Sequence, residues 1–196
     1  MSIVTLVSGG LDSTLMALLI KEENIKQFPL FIDYGQLNYD RELSACKTTF
    51  SILDIPMPEK LTISDYSRLV PAGITSQAYD INSEAFLPCR NLLFLSLAAG
   101  YAYRCEATSV AIGLLNESYS IFPDQTQNFL KTAESLIQQV LNKKISILSP
   151  LGSFSKAEVV ALANDKGIKG TYSCHAGTIP PCGKCIACRE YIGTEV

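Results

Sequence analysis

Val7-Ser8-Gly9-Gly10-Leu11-Asp12-Ser13-Thr14 joins two segments of different character near the start of the chain. The preceding β-branched run, residues 3–7, predicts a buried strand, and residues 15–21 are rich in helix formers. The glycines let the backbone bend and approach a ligand, and Ser13 is predicted to cap the helix. Free N–H groups at a helix start favour phosphate, so the turn is a candidate phosphate-binding loop. An ordinary glycine turn is the alternative.

The stretch Ser8-Gly9-Gly10-Leu11-Asp12-Ser13 resembles the PP-loop of the ATP pyrophosphatases. The resemblance implies that ATP is cleaved between its α and β phosphates and that a carboxylate or amide-like oxygen is adenylated. The stretch lacks the Gly-Lys-Ser/Thr ending of a Walker A loop, so γ-phosphate chemistry is less favoured. The residues that the resemblance places against ATP are Val7, Ser8, Gly9, Gly10, Asp12, Ser13 and Thr14, and Asp12 and Ser13 are also candidate catalytic residues.

The composition indicates a globular protein with one α/β domain. The 196 residues are 47% hydrophobic and 18% charged, and no apolar run is long enough to span a bilayer. No signal peptide is visible, so the seven cysteines are expected to be reduced thiols in the cytoplasm. The net charge of −3 argues against a large nonspecific nucleic-acid surface. Residues 1–130 are the more acidic part, with 14 acidic and 8 basic side chains.

Strand and helix patterns alternate along the chain, which predicts a doubly wound, mostly parallel α/β sheet. Ligands bind such sheets beyond the carboxyl ends of the strands. The PP-loop follows the first predicted strand and Asp33 follows the second, so Asp33 is a further candidate for the ATP site. Residues 90–105 predict a helix that is apolar nearly all round and therefore buried. Residues 124–141 predict an amphipathic helix with Leu136 and Val140 among its inward residues.

Four cysteines near the end of the chain form a candidate metal site: Cys174, Cys182, Cys185 and Cys188. Four thiolates in a short, loop-rich segment suit tetrahedral zinc with a structural role. An iron–sulfur centre, a redox dithiol that carries sulfur, and thiols without a metal are the alternatives. His175 could replace a thiolate but is expected to point elsewhere. The remaining thiols, Cys46, Cys89 and Cys105, are predicted to be core residues.

The PP-loop and the cysteine cluster together resemble the 7-cyano-7-deazaguanine synthase (QueC) family over nearly the whole chain. Further markers are the segments 33–36, 88–96 and 150–158. The resemblance implies that ATP and zinc are used to convert 7-carboxy-7-deazaguanine to its amide and then its nitrile. It singles out Arg90 and Lys156 as groups that neutralise charge in the transition state, where surface charge or helix-end pairing is the alternative. Asp12 is expected to bind Mg²⁺ or to orient the loop.

The sequence departs from the family pattern where the family reads its substrate. The segment 113–126 has Ile121 in place of a glycine, and Gln125-Thr126 in place of a Cys-Arg pair. Tyr172 stands where the family usually has a tryptophan, and the chain is shorter than usual. We therefore expect intact activation chemistry with altered substrate recognition.

Three functions remain open on the sequence alone. The first is a ligase that couples a deazaguanine-type carboxylate to ammonia, or to a protein amine as in QueC-like proteins of anti-phage operons. The second is a PP-loop tRNA sulfur transferase, and the third is a non-catalytic ATP- or zinc-binding scaffold. We predict a PP-loop ATP-binding domain at residues 1–170 and a zinc-binding tail at 171–196. The family resemblance implies a homodimer; no membrane partner is expected.

Overall fold

The structure, a computed structural model, describes residues 1–192. It contains one five-stranded sheet whose strands are all parallel, in the order β3-β2-β1-β4-β5. The strands are β1 (Ser2–Val7), β2 (Lys26–Asp33), β3 (Glu59–Thr62), β4 (Ser109–Ala111) and β5 (Ser146–Leu148). The predicted fold class is therefore confirmed. From β1 the chain adds β2 and β3 on one side of the sheet, and it then adds β4 and β5 on the other side. The direction therefore reverses between β1 and β4, and the crevice at the carboxyl ends of these two strands is the expected ligand site.

Seven helices connect and cover the strands in the described part of the chain. They are α1 (Leu11–Glu22), α2 (Tyr39–Ile52), α3 (Asp65–Leu69), α4 (Arg90–Arg104), α5 (Gln127–Leu141), α6 (Lys156–Asp165) and α7 (Ile186–Arg189). The Ser155–Glu158 capping box that opens α6 is present, with both reciprocal hydrogen bonds. No helix among these is long and apolar enough to cross a membrane.

The alternating side chains of β1 divide the core into two layers. Ile3 and Val7 pack with helices α1, α2 and α6 on one face of the sheet, whereas Val4 and Leu6 pack with α4 and α5 on the other. All four side chains are buried. Since both faces of the sheet are covered, its strands read as continuous apolar runs rather than as alternating patterns.

The structure corrects several sequence predictions. Helix α4 is buried on one face only, and Ser96, Tyr103 and Arg104 lie on its exposed side. Helix α5 begins at Gln127, after a short 3₁₀ turn, and its buried residues are Leu130, Ala133 and Ile137. Leu136 and Val140 are exposed because α5 packs only on one narrow side, against α4 and β5.

The three cysteines outside the cluster differ in environment. Cys46 is buried, as predicted, and Cys105 is partly buried. Cys89 is exposed, because it occupies the sharp left-handed turn (φ 57°) that leads into α4. The prediction that Cys89 is a core residue was therefore wrong. The two-part division at residue 170 stays a prediction, and residues 193–196 of the proposed tail lie outside the described residues.

Candidate functional site

The PP-loop connects β1 to α1 at the carboxyl edge of the sheet. Helix α1 begins at Leu11 with Gly10 as its N-cap, so the prediction that Ser13 caps the helix was wrong. Ser13 lies inside the first turn instead. Its Oγ accepts from the Ser8 backbone N–H at 3.1 Å and donates to the Gly10 carbonyl at 3.2 Å. The hydroxyl therefore braces the loop from within, while the first N–H groups of α1 remain without helical partners.

Gly9 brings the PP-loop against helix α2. Its φ is +80°, and a Cβ built on it would lie 2.2 Å from the Glu42 carbonyl oxygen and 2.8 Å from the Cys46 backbone nitrogen. Only glycine combines this backbone conformation with so close an approach. The loop is thereby fixed at the position where α2 meets the sheet edge.

A three-residue charge network lies beside the PP-loop. The Nζ of Lys156 lies 2.8 and 3.0 Å from the two carboxylate oxygens of Asp12, and 3.3 Å from Oε2 of Glu190. Burial alone would lower the pKa of Lys156, but Asp12, Tyr191 and Glu190 raise it well above its ordinary value. Lys156 is thus a permanent cation, contributed by the start of α6 and held next to the loop.

Most of the predicted site residues line one cavity at this edge of the sheet. They are Val7, Ser8, Gly10, Asp12, Ser13, Arg90 and Lys156. Within residues 1–192, the other three candidates do not line it: Gly9 faces α2, Thr14 is fully buried, and the Asp33 carboxylate accepts from the Gly35 backbone N–H. The ATP-contacting roles of these three stay predictions.

Sequence reasoning missed a buried polar group in the same cavity. Glu42, on α2, is 8% exposed, and its carboxylate accepts from Gln36 Nε2 at 3.2 Å and from Asn38 Nδ2 at 2.9 Å. Burial raises the pKa of Glu42 to about 7, although Gln36, Asn38 and Arg90 oppose the shift. Glu42 precedes the buried Cys46 by one helical turn, so an acidic residue on the buried face of α2 was a usable signal.

Two more side chains that line this cavity, Tyr34 and His175, were also missed as site residues. The predicted site residue Arg90 lies over the ring of Tyr34, 5.9 Å from its centroid. His175 lines the cavity, and burial followed by the charge of Arg90 lowers its pKa to about 4. The Nδ1 of His175 is buried and has no hydrogen-bond partner in the described part of the chain. This end of the cavity is therefore polar but incompletely hydrogen-bonded.

The altered segment 113–126 forms one wall of the cavity, through Gly113, Leu114, Ile121, Phe122 and Gln125. The side-chain oxygen of Gln125 accepts hydrogen bonds from the backbone N–H groups of Ile121 and Phe122, both at 2.9 Å. Thr126 caps helix α5 by accepting from the Phe129 N–H. Gln125 and Thr126, where the sequence was expected to depart from the family pattern, thus stabilise local loop structure.

The four predicted metal-ligand cysteines come together. Their sulfur atoms all lie within 4.8 Å of one another, and the sulfurs of Cys182 and Cys188 are 3.9 Å apart. A tetrahedral zinc with bonds of about 2.3 Å holds its sulfurs about 3.8 Å apart, so the cluster fits such an ion. Burial alone would raise the pKa of Cys174, but the hydrogen bonds its sulfur accepts, first from Cys182, lower it to about 6. His175 is not part of the cluster, as expected.

The cysteine segment is joined directly to the PP-loop. The Tyr172 N–H donates to the Gly9 carbonyl at 2.9 Å, and the Ser173 hydroxyl lies against Gly10. Asn38 Nδ2 also donates to the Cys174 carbonyl at 3.1 Å. Glu190, which follows α7, reaches Lys156. The cysteine segment therefore forms part of the cavity wall.

Solved structures of similar fold support the PP-loop architecture. A predicted subunit of a tRNA methyltransferase from Methanocaldococcus jannaschii superposes with a TM-score of 0.53 at 17% identity, over 87% of this chain and 90% of that one. A 4-thiouridine synthetase in complex with RNA and bound ATP gives a TM-score of 0.53 at 16% identity, over 85% of this chain and 41% of that one. At these identities the likeness shows the fold alone.

Curated relatives match over nearly their whole length. The 7-cyano-7-deazaguanine synthase 1 of Desulfitobacterium hafniense is 34% identical over 200 residues, covering 96% of this chain and 88% of the relative. The 7-cyano-7-deazaguanine synthase of Persephonella marina is 32% identical, covering 97% of this chain and 90% of the relative. The sequence profile of the family described as "Queuosine biosynthesis protein QueC" matches residues 2–191. The chain therefore belongs to the QueC family.

Proposed function

We propose that this protein adenylates the carboxylate of a 7-carboxy-7-deazaguanine-type substrate with ATP and couples it to ammonia. The carboxylate attacks the α phosphate, which gives an acyl adenylate and releases pyrophosphate. Ammonia then displaces AMP and loses a proton, which gives the amide; a second adenylation, of the amide oxygen, and loss of AMP give the nitrile. The observation that carries the proposal is the union in one cavity of the PP-loop with the Asp12–Lys156 pair, in a chain whose relatives are named for this product.

The residues of the cavity suit this chemistry. Carboxylates are poor electrophiles, and adenylation supplies a leaving group that an amine can displace. The N–H groups of the PP-loop and the start of α1 would hold the phosphates. Lys156 and Arg90 would offset the negative charge that builds up when the carboxylate meets the phosphate. Asp12 would orient Lys156, and its remaining lone pairs would be available to Mg²⁺.

We propose that the cysteine cluster holds zinc in a structural role. Four thiolate ligands complete a tetrahedral zinc and leave no position for a substrate. Cys174, Cys182, Cys185 and Cys188 would hold the ion, and the ion would in turn fix the segment that contacts Gly9 and Lys156. A zinc ion there would contribute rigidity, and the reacting groups would come from the cavity itself.

Product analysis tests the proposal. The protein is incubated with ATP, Mg²⁺, 7-carboxy-7-deazaguanine and ammonia, and the small molecules are separated and weighed by mass spectrometry. We expect the amide and the nitrile, with AMP and pyrophosphate, and we expect Asp12→Asn to abolish them. Asp40→Asn, an exposed carboxylate on α2, is the matched control and should leave the products unchanged. ATP consumption without any new deazaguanine product would contradict the proposal.

Transfer to a protein amine is a second candidate, favoured by a second cavity next to the first. The two cavities share Asp12, Lys156 and Ile121, and the side chains of Tyr119 and Ile192 also line the second. Tyr119, Ile121 and Ile192 are 59%, 54% and 75% exposed. Exposed apolar side chains beside the reacting groups offer nothing to ammonia but suit a polypeptide segment.

The same assay separates the two acceptors when a candidate protein replaces ammonia. A mass increase on that protein, with no amide formed, would favour conjugation, whereas amide and nitrile alone would favour ammonia. The homodimer and the cytoplasmic location stay predictions, which light scattering and cell fractionation would check.

A further inference from the structure

Glu42 is a buried carboxylate with unused hydrogen-bonding capacity. It accepts two hydrogen bonds, from Gln36 and Asn38, whereas an ionised carboxylate offers about four lone-pair positions. It lines the cavity that contains the PP-loop. In the described part of the chain, Glu42 forms no ion pair with a lysine or an arginine. A buried carboxylate charge with unfilled acceptor positions costs free energy. A ligand that donates hydrogen bonds to it would lower that cost.

The two amides that hold Glu42 are themselves fixed by backbone groups. Gln36 accepts from the Tyr34 N–H at 3.0 Å through its side-chain oxygen, which directs its NH₂ group toward Glu42. The Asn38 NH₂ group is shared between Glu42 and the Cys174 carbonyl. Each carboxylate oxygen of Glu42 therefore has one fixed donor, and the carboxylate is held in one orientation before any ligand binds.

We propose that Glu42 is a specificity-determining residue that binds the ring N–H and the adjacent exocyclic amino group of a guanine-type base. The inference rests on the proposed function and names the part of that substrate which the chain recognises. A guanine-type base presents these two donors side by side, and a carboxylate accepts both in a bidentate pair. Adenine presents an acceptor at the same ring nitrogen, so Glu42 disfavours the adenine of ATP and favours the deazaguanine.

The position of Glu42 beside the PP-loop is compatible with adenylation of a substrate bound there. The Glu42 backbone adjoins Gly9 of the PP-loop, so a base held at Glu42 stays in the compartment where the phosphates bind. The substrate carboxyl group is on the other ring of the base from the exocyclic amino group. Binding one end at Glu42 therefore leaves the carboxyl group free to meet the nucleotide.

A binding comparison between two bases tests the proposal. Titration calorimetry measures the affinity of the full-length protein for 7-carboxy-7-deazaguanine and for the analogue without the 2-amino group, 7-carboxy-7-deazahypoxanthine. We expect the wild type to bind the guanine compound roughly 10- to 100-fold more tightly, the discrimination typical of a bidentate pair. In Glu42→Gln, the affinity for the guanine compound should fall and the ratio between the two bases should approach one.

The controls separate recognition from folding and from the proposed function. Asp40→Asn, on the same helix but exposed, should keep the wild-type ratio. A folded Glu42→Gln protein that keeps the wild-type ratio would overturn the role of Glu42 while leaving the proposed function intact. Equal affinity of the wild type for both bases would also overturn it, without any variant. If the wild type binds neither base, the proposed substrate is wrong and the inference fails with it.

Discussion

The Nζ of Lys156 lies 2.8 Å from a carboxylate oxygen of Asp12, although the two residues are 144 positions apart in the chain. The Lys156 side chain is 10% exposed and that of Asp12 is 26% exposed, so the pair is largely shielded from water. This contact joins the PP-loop to the start of helix α6, and Glu190 adds the cysteine segment to the same cation. The PP-loop and the cysteine segment thus both contact the charged amino group of Lys156, which the start of α6 contributes.

Replacing Lys156 with methionine should damage both catalysis and stability. The change leaves Asp12 and Glu190 without their cation, so we expect a loss of about 2 kcal/mol in the free energy of unfolding. Loss of a charge-stabilising group should lower the rate of AMP formation roughly 100- to 1000-fold. Urea unfolding and an AMP assay measure the two effects.

The matched control is Lys21→Met, which removes an ion pair of similar length. Lys21 lies 3.1 Å from Asp54, but the Asp54 side chain is 97% exposed. Solvent screening should hold the cost to less than about 1 kcal/mol, with unchanged AMP formation. Equal losses in the two variants would show that burial of the Asp12–Lys156 pair has no special importance.

Gly9→Ala should disrupt the PP-loop. The added Cβ would clash with the Glu42 carbonyl oxygen at 2.2 Å, and the backbone conformation at φ +80° disfavours any side chain. We expect ATP binding to be lost and the midpoint of thermal unfolding to fall. Gly100→Ala is the control, because the added Cβ would meet no atom within 4 Å beyond its chain neighbours and the backbone of α4 itself. Wild-type ATP affinity in Gly9→Ala would mean that the loop is not held against α2.

Glu42 should make the protein less stable as the pH rises from 4.5 to 7. Because its pKa is raised from 4.5 to about 7 in the folded state, the folded protein binds more protons than the unfolded chain across this range. Rising pH therefore favours the unfolded chain, by about 3 kcal/mol in total. Glu42→Gln removes this contribution. The free energy of unfolding of the variant, minus that of the wild type, should therefore increase as the pH rises from 4.5 to 7. A difference independent of pH would show that Glu42 is ionised normally.

Removal of the cysteine cluster should weaken ATP binding as well as metal binding. Cys185→Ser removes a buried thiol that we propose as a metal ligand, and the segment that contacts Gly9 and Lys156 should lose its fixed conformation. We expect a bound metal near one equivalent in the wild type, by elemental analysis, and far less in the variant. ATP affinity should fall by about 10-fold or more, a loss on the scale of a contact between coupled sites.

Cys105→Ser, outside the cluster, is the control for that experiment and should change neither quantity. Metal-free protein that binds ATP as tightly as the loaded protein would show that the cysteine segment does not support the loop.

The sequence was sufficient for the features that depend on local pattern. The strand–PP-loop–helix unit, the parallel sheet, the Ser155–Glu158 capping box and the cysteine cluster each have a short-range signature, and each is present. Asp12 and Lys156 were both selected, but nothing local indicates that they touch. Such a pairing depends on the order of the strands and on how α6 packs.

The errors also have physical causes. Leu136 and Val140 fit a helical period, but the stripe of α5 that the sheet and α4 can cover is too narrow to include them. Ser13 is a good capping residue, but the helix starts directly after the glycines and its hydroxyl turns back to Ser8 and Gly10. Glu42 was missed because charged residues in a helix are usually solvated, although it lies one turn before the buried Cys46 and is itself buried.

Adenylation of the substrate can be followed through one oxygen atom. 7-Carboxy-7-deazaguanine is prepared with a heavy oxygen isotope in its carboxylate and is incubated with the protein, ATP, Mg²⁺ and ammonia. If the carboxylate is adenylated, the AMP that forms must carry one labelled oxygen, which mass spectrometry detects. Unlabelled AMP, or formation of ADP instead of AMP, would contradict adenylation of this substrate.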